Sequence, residues 1–256
     1  MSRMPRRAKI VSNMQIINGF NHIPTITHAV ATVGSYDGVH SGHKVLIEQV
    51  IAHAKARGGQ SVVLTFEPHP RITLGRAEGL KLLSTVEEKA LLLEQLGVDF
   101  MLIIPFTLEF SRLSHAEFIG QYLIDRVGIE ELVIGYNHHF GHNKSGDYDY
   151  LTTNFPTLKV TQVEQQRVEN DKVSSTVIRR VIAEGDMAQA RLLSGHPYII
   201  IGIADHSGRI ITNQYKLLPP VGKYAAKVNG EVGQIEILPS GEIATCAYGT
   251  KTVIEL

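Results

Sequence analysis

Ala29-Val30-Ala31-Thr32-Val33-Gly34-Ser35-Tyr36-Asp37-Gly38-Val39-His40-Ser41-Gly42-His43 passes from an uninterrupted apolar run into a glycine-rich turn. Beyond it, Val45, Leu46, Val50, Ile51 and Ala54 recur at helical spacing until Gly58 and Gly59. An apolar run, a polar turn and an amphipathic helix in that order make the first half of a βαβ unit. The same alternation continues. Ser61 to Phe66, Phe100 to Ile104, Leu132 to Ile134 and Lys159 to Val163 read as further strands. Ser84 with Glu87, Thr85 with Glu88 and Ser114 with Glu117 offer capping boxes for the intervening helices, the second of which runs through Arg126. A helix is expected from Ser175 and another over Met187 to Leu193. The fold class is therefore α/β, Rossmann-like, with a parallel sheet.

After Gly195-His196-Pro197 the pattern changes to short β-like runs at 198–204, 209–213, 223–228, 233–238 and 242–248, which suggest a small β-rich, barrel-like domain. The expected division is a tail over 1–13, a first domain over 14–195 and a second over 196–256. The tail carries Arg3, Arg6, Arg7 and Lys9 without an acid or a following apolar core, and reads as a disordered arm or as residues ahead of a start at Met14. Lys plus Arg and Asp plus Glu are 25 each in 256 residues, so no broad basic surface for a nucleic acid exists and any anion site must be local. A single cysteine, Cys246, excludes a disulfide framework, and no run approaches the roughly 20 apolar residues of a membrane span. These features predict a cytoplasmic protein with neither nucleic acid nor membrane as partner.

Four polar segments lie beside strand ends. In the first, Gly34 to His43, bare backbone and the imidazoles of His40 and His43 meet at a helix N-terminus, where unpaired N–H groups favour a phosphate. G-x-x-x-x-G-K-[ST] is absent and the glycines do not follow G-x-G-x-x-G. The second, Thr65-Phe66-Glu67-Pro68-His69-Pro70, holds His69 in a turn restricted by two prolines. The third, Gly135-Tyr136-Asn137-His138-His139-Phe140-Gly141, opens a long polar stretch up to Pro156. His138, His139 and His142 have no cysteine or fixed carboxylate to complete a zinc set, so a structural or phosphate-facing role is expected and no metal ligand is assigned. In the fourth, Val173-Ser174-Ser175-Thr176-Val177-Ile178-Arg179, hydroxyls cap a helix and Arg179 can point at the same ligand.

Taken together and in this order, the four segments resemble the adenylyltransferase domain of bacterial bifunctional riboflavin kinase/FMN adenylyltransferases, over about residues 14–195. The family's H-x-G-H falls on His40, Gly42 and His43, its G-x-N asparagine on Asn137, and its S-S-T-x-x-R on Ser174, Ser175, Thr176 and Arg179. The resemblance implies adenylyl transfer from ATP to FMN, giving FAD and pyrophosphate, with Mg²⁺ bound mainly through the substrate phosphates. It implies His40, His43 and Arg179 as catalytic residues. Gly34, Ser35, Tyr36, Asp37, Gly38, Gly42, Asn137, Ser174, Ser175 and Thr176 would bind nucleotide or phosphate, and Phe66, Pro68, His69 and His138 the flavin or substrate side. Tyr36 and His138 stand where the family usually has Phe. The family's kinase entry, G-R-x-x-G-F-P-T-A-N, is reduced here to Gly208-Arg209-Ile210-Ile211-Thr212-Asn213, and only about 60 residues follow the first domain, so riboflavin kinase activity is expected to be absent. Transfer to another phosphate-bearing acceptor, or nucleotide or flavin binding without catalysis, stays open on the residues alone.

Overall fold

The computed structural model describes residues 14–136, 148–164, 167–168 and 171–256. Along the chain these form β1 (Gln15–Asn18), β2 (Ala29–Val33), α1 (Ser41–Ala56), β3 (Ser61–Glu67), α2 (Pro70–Thr73), α3 (Val86–Leu96) and β4 (Phe100–Pro105). After them come α4 (His115–Glu117), which runs on as a π-helix over Phe118–Val127, then β5 (Ile129–Gly135), α5 (Tyr148–Asn154), β6 (Lys159–Val163) and a hairpin, β7 (Arg167–Val168) with β8 (Asp171–Lys172). The helices α6 (Ser175–Ala183) and α7 (Met187–Ser194) lead into β9 (Ile199–Ile203), β10 (Arg209–Ile210), β11 (Gly222–Val228), β12 (Glu231–Ile237), β13 (Ile243–Ala244) and β14 (Lys251–Glu255).

Six parallel strands form the first sheet in the order β1-β4-β3-β2-β5-β6. Both faces are covered, which is why β2 and β3 are apolar at nearly every position rather than at alternate ones. Ala29, Ala31 and Val33 point into one core with Leu64, Leu102, Ile119 and Leu123. Val30, Val63 and Met101 point into the other with Ile47, Val50 and Leu93. The capping boxes at Thr85/Glu88 and Ser114/Glu117 are present. The overlapping one at Ser84 is not, because the Ser84 hydroxyl is taken by the backbone N–H of Gly38 at 2.8 Å.

The second sheet is antiparallel and barrel-like, in the order β10-β13-β12-β11-β14-β9. Its edge strands β9 and β10 are consecutive in the chain and joined by a turn in which the N–H of Asp205 donates to the carbonyl of Arg209 at 2.9 Å. Three expectations need amendment. The edge strand β1 and the hairpin β7–β8 are too short and polar to read as strands. The run expected at 242–248 is only β13, and the strand after it, β14, inserts between β11 and β9. Within the polar stretch after Gly135, Tyr148–Asn154 is helical.

The two sheets share a core. Ile178, Val181 and Ile182 of α6 and Leu193 of α7 pack with Ile200, Val228, Ile235 and Ile254 of the barrel. At the junction Lys216 Nζ donates to Glu88 Oε2 (2.7 Å), Leu83 O (2.8 Å) and Ile199 O (2.7 Å), and lies 4.2 Å from the centre of the Tyr198 ring. Glu88 Oε1 accepts from the N–H of Ile201 at 2.9 Å. Both charges are buried, and each hydrogen bond replaces solvation the pair gave up.

Candidate functional site

From β2 the chain builds outward through β3 and β4, then returns to place β5 on the other side of β2. Connections leave β2 and β5 in opposite directions, and a crevice opens at their carboxyl ends. A cavity of about 360 Å³ occupies it, lined by Gly34, Ser35, His40, Gly42 and His43, with Tyr136 and Glu164 opposite. The first and third polar segments therefore meet here, and Val173 of the fourth reaches the wall. Of the third segment only Gly135 and Tyr136 are described. Asn137, His138, His139 and His142 lie outside the described residues.

Asp37 organises the loop between β2 and α1. Its carboxylate is buried, with Oδ1 accepting from the N–H of Leu83 (2.8 Å) and of Ser84 (3.0 Å) and Oδ2 accepting from Arg179 (2.5 Å). Its carbonyl takes the Ser175 hydroxyl at 3.0 Å. Gly38 adopts a φ of +82°, and a Cβ there would meet the Leu83 side chain at 2.8 Å, so this position admits neither an ordinary conformation nor a side chain. Tyr36 and Val39 also have positive φ, 44° and 39°. For β-branched Val39 this is strain, held by the surrounding bonds.

His40 is the N-cap of α1, yet its side chain makes no capping hydrogen bond and the first turn contains no acid. The helix amides and their positive end are thus left for a ligand. A Cβ on Gly42 would lie 3.3 Å from the His40 ring, so glycine at this position lets the ring fold back over the helix start. There the ring stacks on His43, with centroids 3.7 Å apart and planes 18° from parallel. Tyr36 meets His43 edge-on at 5.2 Å, and its hydroxyl hydrogen-bonds Thr32 Oγ1 at 2.6 Å in the interior. His40 is buried, and His43, on the first turn of α1, is half-buried.

Burial, chiefly, lowers the His40 pKa to about 4. Burial and then the neighbouring His40 and Lys89 hold His43 well below the usual histidine range. Two imidazolium charges 3.7 Å apart would repel by about 4 kcal/mol at an effective dielectric near 20, so the pair carries at most one positive charge near neutrality. The Nδ1 atoms of both rings are buried without a partner. A lone pair left unpaired costs less than a stranded N–H, so the proton of each neutral ring belongs on Nε2.

The remaining expected residues divide. Arg179 turns to Asp37 and, through Nε, to the carbonyl of Lys81 at 2.6 Å. Ser174 caps α6 through the N–H of Val177 at 3.4 Å, and Thr176 is exposed. Thr65 donates to Ser35 O at 3.2 Å, which ties the second segment to the first. Phe66 leaves the cavity and packs edge-on against Phe106 at 5.3 Å, while His69 caps α2, after Pro68, by accepting the Arg71 N–H. A second cavity of about 330 Å³ at the carboxyl ends of β1 and β4 is lined by Phe20, Phe110, Tyr122 and Arg126. The sequence reading missed Lys89, buried on α3, whose Nζ donates to Thr65 Oγ1 at 2.7 Å and whose pKa burial lowers to about 8. A lysine on the helix stripe that carries Ala90 and Leu93 was the available signal. No group of three His, Cys, Asp or Glu side chains that could hold a metal occurs among the described residues.

Residues 22–177 match the sequence model of a family described as FAD synthetase. The bifunctional riboflavin kinase/FMN adenylyltransferase of Listeria monocytogenes is 37% identical over 222 residues, which cover 81% of this chain and 70% of that protein. The enzyme of the same name from Bacillus subtilis is 34% identical over 219 residues, covering 80% and 69%. A crystal structure titled as a macrolide-efflux protein from Streptococcus pneumoniae superimposes with a TM-score of 0.81 at 22% identity, over 94% of this chain and 89% of the other, and shows the same fold.

Proposed function

The chain belongs to the FAD synthetase family of nucleotidyltransferases, and we propose from this that it transfers the adenylyl group of ATP to FMN. The observation that carries the reading is the stacked, neutral His40–His43 pair beside the uncapped start of α1, in a cavity large enough for a nucleotide's phosphates.

The FMN phosphate, already an anion near neutral pH, attacks the ATP α-phosphorus. An O–P bond forms as the bond to the bridging oxygen breaks in line, and pyrophosphate leaves with the electron pair. Such a transfer needs position and charge neutralisation more than covalent help. The amides of α1 and the Nε2–H groups of His40 and His43 would hold the phosphate oxygens as charge grows on them. Neutral imidazoles suit this role, since they donate without a counter-charge problem in the empty site, and bound phosphate then favours the uptake of one further proton by the pair. Arg179 and Asp37 would fix the loop, and Arg179 would face the departing pyrophosphate by exchanging partners. Asn137 and the hydroxyls of Ser174 to Thr176 would complete the phosphate contacts.

Mg²⁺ would arrive on the triphosphate. The polar lining is imidazole, hydroxyl and backbone amide with a single carboxylate, Glu164, and Asp37 is engaged by Leu83, Ser84 and Arg179, so phosphate oxygens rather than a cage of protein carboxylates suit the cation. When bound, it would neutralise charge on the leaving pyrophosphate. The flavin ring would extend toward the aromatic residues after β3 and β4, with Phe66, Pro68, His69 and His138 on that side.

We assign residues 14–195 to this transfer and residues 196–256 to a domain without riboflavin kinase activity, since the G-F-P of the kinase loop is missing between Ile211 and Thr212. ATP as donor goes with a cytoplasmic setting, and no helix among the described residues is long and apolar enough to cross a membrane. Incubation with Mg²⁺, ATP and either FMN or riboflavin, with the flavins resolved by chromatography, tests all of this. FAD from FMN is expected. Nucleotide binding without FAD would refute the transfer, and FMN from riboflavin would refute the assignment of the second domain.

A further inference from the structure

Gly38 lies two residues before His40, and both of its peptide groups are held from outside the loop. Its N–H donates to Ser84 Oγ at 2.8 Å, and its carbonyl oxygen faces Nε2 of His196 at 2.9 Å. His196 follows Gly195, the left-handed residue that ends α7, and stands where the chain leaves the parallel-sheet layers for the barrel. The other ring nitrogen, Nδ1, lies 2.7 Å from the carbonyl oxygen of Pro197, the next residue. Carbonyl oxygens only accept hydrogen bonds. A neutral imidazole has one N–H and can serve one of the two; the other contact then sets a lone pair against an oxygen. Only the imidazolium donates to both.

The geometry points to His196 as a positioning residue that, as its imidazolium, ties the Gly38 carbonyl to the entrance of the barrel and so sets the course of the loop carrying His40 and His43. The inference rests on the adenylyl-transfer reading of that loop. A second bond crosses the same seam, from Ser41 Oγ to the carbonyl of Leu193 at 2.7 Å. Gly38 and Ser41 are thereby pinned to the end of α7, with His40 between them.

Glu88 and Tyr198 line the same small cavity as His196, and both are engaged elsewhere. Glu88 of α3 accepts from Lys216 and from the N–H groups of Thr85 and Ile201. Tyr198 donates to the carbonyl of Leu217 at 2.7 Å. Asp37 and Arg179 hold each other. His40 stays neutral through burial, with a positive His196 adding to that preference. The tether is complete only when both ring nitrogens of His196 carry a proton, and it loses one of its two bonds when either proton is absent.

Three substitutions and one titration test this. Arginine keeps several donors at every accessible pH, glutamine offers one side-chain group and alanine none. The kcat for FAD formation should fall about tenfold or more in His196→Ala and His196→Gln, the effect of losing a charge-assisted hydrogen bond, and His196→Arg should recover most of it. If deprotonation of His196 limits turnover, the parent should lose kcat on the alkaline side and His196→Arg should not. Parent-like kcat and pH profile in His196→Ala would overturn the proposal. Independently of any substrate, the Gly38 amide signal and the His196 ring nitrogens should titrate with one midpoint in ¹⁵N spectra of the full chain. A Gly38 signal that ignores the His196 titration overturns the tether, whether or not the variants fold. Absence of FAD formation in the parent counts against the transfer reading alone, because the spectra still decide this one.

Discussion

The crevice between β2 and β5 and the junction behind it both bury titratable groups, and they treat them in opposite ways. At the junction, Glu88 and Lys216 are both charged and every strong bonding direction is filled, by each other, by Leu83, Thr85, Ile199 and Ile201. In the crevice, His40 and His43 are kept neutral, their Nδ1 atoms have no partner, and the helix beneath them is uncapped. A saturated network holds parts together, whereas unmet polar groups at a cavity wall hold a place for a ligand. Stability should therefore depend on the first region and turnover on the second.

The largest expected effect separates them directly. His43→Ala should slow adenylyl transfer by roughly two to four orders of magnitude while leaving the unfolding midpoint unchanged or slightly raised, since the ring removed is poorly partnered. Assay of FAD formation beside thermal unfolding checks it; near-normal turnover would refute the role given to His43. Lys216→Ala should do the reverse, costing about 3–5 kcal/mol of stability by stranding the buried Glu88 carboxylate. In denaturant titrations, the double replacement Glu88→Leu with Lys216→Met should be closer to the parent than either single change.

Acid should act on the crevice before the junction. The folded-state pKa of His40 is depressed to about 4 and that of His43 lies well below the usual value, so the unfolded chain takes up protons first as pH falls. Their contribution to stability is present above about pH 6.5 and is lost as pH falls, for His40 toward about 4, with a slope of at most about 1.4 kcal/mol per pH unit for each group. Urea midpoints from pH 7.5 down would show this, and a flat profile would contradict it. The smallest effect is expected at Lys89→Met. Removing a buried cation that depresses the His43 pKa should move the acid limb of transfer to higher pH by a fraction of a unit, with little change in stability. An unmoved limb would place Lys89 in the scaffold only.

Much of this division was legible in the residues. Apolar runs at β2, β3 and β4 identify strands buried on both faces, and Thr85 and Ser114 with their glutamates mark helix starts, because caps and periodicity act over a few residues. His40-Ser41-Gly42-His43 announces itself for the same reason. The destinations of Asp37 and Arg179 were not legible. Each has the composition of a ligand contact, yet the carboxylate bridges the segment ahead of α3, at Leu83 and Ser84, to α6, and the guanidinium answers it across 142 residues. Phe66 and His69 likewise turn to a flanking aromatic cluster and to α2, a choice made by how β3 and β4 pack.

By itself, the sequence determined the alternating α/β order, the parallel sheet, the change to β structure after Gly195 and the position of the histidine pair at a helix start. All of these follow from local propensity, capping and the steric needs of glycine. Tertiary structure alone decided which charges are consumed by the fold and which stay available, since the pairings of Glu88 with Lys216, Lys89 with Thr65 and His196 with Gly38 join residues 24 to 158 apart. Burial then sets the protonation of His40 and His43, a property of their surroundings rather than of their spacing.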